Sequence, residues 1–284
     1  MATDSLPLFH RYEGIVRDPA LDFAAHLPLP DALRMENDAR HAVYYAPFDH
    51  LNPNARLVLV GLSPGRAQAL VALETARREL LAGSDDVSAA AAAKHAASWS
   101  GPIRRTLVRM LDFLGVATQL DIASTAELWT THTDLVHFSA ALRYPVFVGA
   151  KNFNGAGVER NPFLLAQIDS YFALECTHLT HAMFIPFGTA AQVACDRVVA
   201  QGLLRPEQVL AGLPHPSGAN AERVAYFLGQ KTRASLSAQT RPEPIDAARA
   251  SALLRLSTWI PAAAKPSQAH QQDHRHTHPG LALM

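Results

Sequence analysis

Two cysteines in 284 residues, Cys176 and Cys195, are too few for a disulfide framework or for a four-thiolate metal site. Net charge is missing as well. With 25 basic and 25 acidic residues the formal charge is zero, so no whole-molecule field draws the chain to nucleic acid, and any such contact must come from a local patch. No apolar run reaches the roughly 20 residues that cross a bilayer, and the opening MATDSLPLFH lacks a basic-then-apolar leader pattern. The chain is therefore expected to be cytoplasmic, without a membrane partner, and is read as a monomer. Apolar residues, at 49%, are ample for one large core.

Two stretches organise that material. Arg56 to Gly65 (RLVLVGLSPG) and Val209 to Asn220 (VLAGLPHPSGAN) are each a β-branched run that breaks into a Gly/Pro turn with polar residues at its tip. That is the form of a buried parallel strand delivering a loop to one sheet edge. Helical spacing predicts a helix from Arg66 to Ala82 that stops at Gly83. Ser84 to Ala97 reads as helix or mobile loop, and Ser100, Pro102 and Gly115 bracket a further helix, with Ser100 as its cap. Leu128 to Ser139 is expected as the second strand, Ala182 to Gly188 as the third and Val209 to Leu213 as the fourth. Pro162 to Leu179, Thr189 to Gly202, Asn220 to Ser237 and Ile245 to Ile260 read as helices, with weak helical signal at Asp31 to Ala42. Alternating strands and helices predict an α/β fold, a three-layer α/β/α domain on a central four-stranded, mainly parallel sheet, with ligands at the carboxyl ends of the strands. The expected organisation is an extension at 1–49 packing on the core, the main domain at 50–240, a helix at 241–262 and a disordered, His-rich tail at 263–284. Its His274, His276 and His278 alternate, but the composition is that of a solvated tail and carries no assigned role.

The tips Gly61-Leu62-Ser63-Pro64-Gly65 and His215-Pro216-Ser217-Gly218 resemble the loops of the uracil-DNA glycosylase superfamily, which carry G-x-x-P-G or G-x-D-P-Y-H after the first strand and H-P-S or N-P-S after the last. The resemblance covers roughly residues 50–235 and implies hydrolysis of the N-glycosidic bond of a flipped pyrimidine in single- or double-stranded DNA, leaving an abasic site, with no metal or other cofactor. It implies that His215 donates to the base, that Gly61, Leu62, Pro64 and Gly65 shape the base pocket, and that Trp99 stacks on the base. Ser217, Gly218, Ala219 and Asn220 would approach DNA, with Ala219 a weak wedge. Arg66, Lys151, Arg223 and Lys231 are candidates for phosphate contacts.

Three residues depart from the family pattern. Ser63 stands where strong catalysts have aspartate; a serine can position water but is no general base alone. Either leaving-group stabilisation suffices, or Asp49 or Asp134 serves as base, or the protein binds without cleaving. Gly65 stands where a tyrosine would exclude C5 substituents, so the wall is expected to be open. Asp134, placed at the end of the second strand, would accept from the N4 amino group of cytosine. Together these point to a C5-modified cytosine, such as the glucosylated hydroxymethylcytosine of phage DNA, beside uracil itself; repair or antiviral defence is the implied setting. A serine hydrolase is the rival, since Ser63, Asp134 and His215 follow the chain order of an α/β-hydrolase triad. Pro64, however, has no N–H for an oxyanion hole, a loss of about a hundredfold or more in rate.

Overall fold

A computed structural model describes residues 6–259 and 261; the His-rich tail lies outside them. The chain enters through α1 (Pro7–Arg17), which starts on a proline and buries Phe9, Tyr12 and Val16 along one face. The helical signal that follows is realised only as one turn at Asp31–Leu33, before β1 (Arg34–Asn37) and β2 (Ala42–Tyr44). Asp38 turns this hairpin, its Oδ1 accepting the backbone N–H groups of Arg40 and His41, a local bond that competes with helix. Then come β3 (Leu57–Gly61), α2 (Arg66–Leu81), α3 (Asp86–Ala97), α4 (Pro102–Phe113) and α5 (Val116–Leu120). β4 (Val136–Ala140) leads to β5 (Val146–Val148) and β6 (Lys151–Asn152). The next helix is broken: α6 (Pro162–Gln167), a π-helical turn at Ile168–Phe172, and α7 (Ala173–His178). β7 (Met183–Pro186), α8 (Thr189–Ala200), α9 (Ala221–Phe227) and α10 (Pro242–Thr258) complete the order.

The strands form two sheets. One is parallel, in the order β4-β3-β7, with Leu57 level with Val136 and Met183, and Gly61 level with Ala140. The other is antiparallel, β1-β2-β5-β6, and joins the N-terminal extension to the loop after β4. Residues alternate across β3: Val58 and Val60 belong to one apolar core with the extension, α2 and α3, while Leu57 and Leu59 belong to another with α4 and α9. A strand buried on both faces explains the unbroken LVLV run.

Several expectations need correction. The fourth strand is reduced to two isolated parallel bridges, Phe184 to Val209 and Phe187 to Leu213, because Gly212 takes φ 83° and Pro214 follows. α10 seats Ala248 against this bend. A Cβ on Gly212 would lie 2.9 Å from that of Ala248, so only glycine fits. The second strand begins at Val136 rather than Leu128, since the mixed segment before it folds into turns at Thr125–Trp129 and Thr133–Leu135. The helix after the HPSG loop stops at Phe227, just before Gly229 at φ 71°. Gly101 at φ 82°, not Ser100, is the N-cap of α4. Ser84 to Ala97 resolves as helix, capped by Asp85 accepting from the Ser88 N–H. Among the described residues no helix is long and apolar enough to cross a membrane, and no group of three or more His, Cys, Asp or Glu could hold a metal.

Candidate active site

The carboxyl ends of the parallel strands open into a pocket of about 270 Å3 lined by Gly61 through Gly65, Trp99, Ser139, Asn152 and His215, among others. The two motif tips and the indole thus share one cavity. Trp99 holds a left-handed backbone, φ 54°, a strained state for a bulky residue. Its ring lies edge-on to Phe187 at 5.4 Å and tilted over His215 at 5.9 Å, and a Cβ on Gly61 would touch it at 3.5 Å. His215 is set by its own loop: Nδ1 accepts the Ser217 N–H at 3.3 Å, which leaves the proton of the neutral ring on Nε2. Burial lowers its pKa and keeps it neutral. Gly188 gives it room, since a Cβ there would come within 3.3 Å of the His215 Cβ.

Ser63 is engaged elsewhere. Its Oγ accepts the Val146 N–H at 3.1 Å and lies 3.3 Å from the Tyr144 carbonyl, which ties the first motif loop to β5. No triad forms with Asp134, which stands before β4, at the opposite end of the sheet from Gly61. The strand alone separates them by roughly 13 Å. The turn holding Asp134 is fastened by Asn52, whose Nδ2 donates to the carbonyls of Asp134 at 2.8 Å and Val136 at 2.9 Å. The reading of Asp134 as a base-edge acceptor is therefore corrected: a misplaced strand start carried it to the wrong edge. The wall at Gly65 is also not open, because Asn152 fills the space. Its Nδ2 would lie 3.1 Å from a Cβ on Gly65 while its Oδ1 accepts the Arg66 N–H.

The phosphate candidates divide. Arg66 donates from Nε to the Pro28 carbonyl and from Nη2 to those of Ala24 and His26, so it clamps the extension rather than facing solvent. Lys231 is paired with Glu222 at 2.6 Å. Lys151 is exposed beside Asn152, and exposed Arg223 borders a larger groove of about 1050 Å3, with Ser217, Ala219 and Asn220 on its wall. Gly218 begins the turn Gly218–Asn220 in that loop. This groove shares Leu62 and His215 with the pocket.

The buried end of the pocket carries a charged cluster that the sequence reading passed over. Glu175, 2% exposed, faces Lys94 Nζ at 3.3 Å and Arg143 Nε at 3.0 Å through Oε1, and Ser139 Oγ donates to its Oε2. Burial alone would raise the Glu175 pKa, but Lys94, Arg143 and His137 outweigh it and hold the carboxyl well below the usual range. Burial pushes Lys94 down to about 8, against the pull of Glu175, and pushes His137 down to about 4 with help from Lys94. Asp49 sits behind this cluster, with Tyr144 donating to Oδ1 at 2.8 Å and Tyr45 to Oδ2 at 2.9 Å. Sealed by two phenols, it is not placed to activate water, which corrects the second carboxylate candidate. A signal for the cluster did exist: Lys94 shares a helix face with Ala90 and Ala97, and Glu175 falls in the stripe Phe172, Cys176 and Leu179, both core positions.

The uncharacterized protein YoxB of Bacillus subtilis (strain 168) is 35% identical to the chain over 217 residues, 75% of this chain and 84% of that protein. No protein-family model matches, and no solved structure does. Identity at this level over three quarters of the sequence establishes common descent with one fold, and the chain belongs to the family of YoxB.

Proposed function

We propose that the protein is a DNA glycosylase of the uracil-DNA glycosylase type, with that family's α/β/α architecture, acting on a flipped pyrimidine. The observation that carries this is the pocket itself: a cavity of about 270 Å3 between the two motif loops, with an indole on one wall and a neutral imidazole presenting Nε2–H. Its size falls just below the range for drug-sized ligands and suits a single heterocycle. In the proposed reaction the N-glycosidic bond breaks with its electron pair passing to the base, and charge gathers on O2. His215 Nε2–H donates to that oxygen as the charge develops, an interaction stronger in the transition state than in the ground state. Water adds at C1′ and releases a proton. With Ser63 tied to backbone, Asp49 sealed, Asp134 distant and the Glu175 carboxylate held by Lys94, Arg143 and Ser139, the site supports leaving-group stabilisation rather than a carboxylate base. Asp134, before β4, is too far from the pocket to accept from the N4 amino group of cytosine.

The same absence of a placed base favours a second reading, a protein that binds modified or damaged DNA without cleaving it. Alkali-induced strand cleavage separates the two on matched oligonucleotides containing uracil, thymine opposite guanine, 5-hydroxymethylcytosine or its glucosylated form. Cleavage at any modified position is expected, and His215→Ala should lower it about a hundredfold or more while DNA affinity stays within about threefold. Unchanged cleavage removes the role of His215; binding with no cleavage on any substrate establishes the second reading.

A further inference from the structure

We infer that Lys94 and Arg143 form an acceptor-reading subsite at the buried end of the pocket, selecting a ligand that presents a carbonyl oxygen there and, among pyrimidines, a 4-oxo base over a 4-amino base. This rests on the reading of the cavity as a base pocket. Donors outnumber acceptors at this end of the pocket. Lys94 has three N–H groups. One donates to the His50 carbonyl at 2.7 Å and one to Glu175 Oε1 at 3.3 Å. The third approaches His137 Nε2 at 3.4 Å, but that nitrogen is no acceptor. His137 Nδ1 already accepts the Asn52 N–H at 3.3 Å, so the neutral ring carries its proton on Nε2 and turns it toward Glu175 Oε2, 3.5 Å away. One ammonium N–H of a side chain 4% exposed is therefore unspent.

Arg143 repeats the pattern. Its Nη2 donates to the Tyr171 carbonyl at 2.9 Å, while its Nε lies near Glu175 Oε1 but off the line a hydrogen bond needs, and is buried with no acceptor among the described residues. Glu175 Oε1 already accepts from Lys94, and it lies off the direction of the Arg143 Nε–H, so that donor stays unpaired. Unspent donors at this depth are costly and call for an acceptor. Both side chains line the cavity, so a ligand there can supply one. A base that enters with its sugar bond toward His215 turns its C4 substituent to the buried end. A carbonyl at C4 accepts from these donors; an amino group sets donor against donor.

The test uses the full chain and three free bases, uracil, cytosine and 2-pyrimidinone, the last lacking any group at C4, with binding read by calorimetry. Uracil is expected to bind about tenfold or more tightly than either other base. Lys94→Met should remove that margin by weakening uracil binding, with circular dichroism confirming the fold. Since that change could unfold the buried cluster, Arg143→Lys, which keeps the charge but moves the donor, is the second variant and should narrow the margin about threefold or more. Cytosine or 2-pyrimidinone binding as tightly as uracil overturns the inference, as does no binding of any base at about 10 mM. Excision is scored separately. Uracil bound but never excised counts against the glycosylase and leaves the subsite standing; excision confined to 4-amino bases does the reverse.

Discussion

The hydroxyl of Ser63 does two things at once in the backbone of its neighbours, accepting from Val146 N–H and reaching the Tyr144 carbonyl, which makes it a joint between the first motif loop and β5. Ser63→Ala should therefore cost about 1 kcal/mol of stability in urea titration and leave abasic-site formation within about threefold. A hundredfold loss would instead assign it the water. Among the histidines, His50 and His137 are both held neutral, pushed down to about 4, chiefly by burial. A base whose folded pKa lies below its unfolded value binds fewer protons when folded, so stability rises with pH across the interval between them. Acidification from about 6.5 to 4 should thus cost up to about 3 kcal/mol per imidazole. Glu175, held low by its cations, adds a loss as pH falls below the ordinary carboxylate range. Urea midpoints measured across pH 4 to 7 check this; a flat profile would mean these rings are not buried neutral.

At the scale of elements, the π-helical turn between α6 and α7 is the feature that aims Glu175. A π turn adds one residue to the helix, which rotates everything after it by about 100° relative to a continuous α-helix. Deleting Ser170, exposed within the turn, should restore α geometry, swing Glu175 off the cluster and abolish base binding, whereas Ser170→Ala should leave binding unchanged. Spectroscopic helix content and calorimetric base binding read both outcomes. The same element shows where sequence reading stops. LVLVGLSPG and GLPHPSG were legible because local chemistry dictates them: an apolar strand ending in residues that only turns accommodate. Trp99 was legible as a pocket residue through the family resemblance. For the cluster, the core placement of each charge was legible but their meeting was not, because Lys94 and Glu175 lie 81 positions apart and the phase of α7 depends on a turn that periodicity cannot reveal. Asp134 failed for a related reason. Its TTHTDL neighbourhood is rich in threonine, a β-branched residue common in strands, yet Asn52, distant in sequence, pins it as a turn.

For the whole molecule, a formal charge of zero meets a groove edged by exposed Arg223 and Arg241, with Lys151 exposed beside the pocket. Arg66 and Lys231 are already spent inside the protein. Two or three phosphate contacts predict a shallow salt dependence for single-stranded DNA, a slope of log K on log salt of about −1.5 to −2. Fluorescence anisotropy at several salt concentrations measures it, and a slope steeper than about −5 would reveal a basic surface that these residues do not account for. The seat of Ala248 on Gly212 has a consequence in time rather than in space. Ribosomal synthesis delivers α10 after every loop of the pocket, so the strand bend that carries His215 stays without its support until the last described helix has emerged. A nascent chain therefore has both motifs made before α10 follows, with the imidazole not yet steadied, and competence arrives late and all at once.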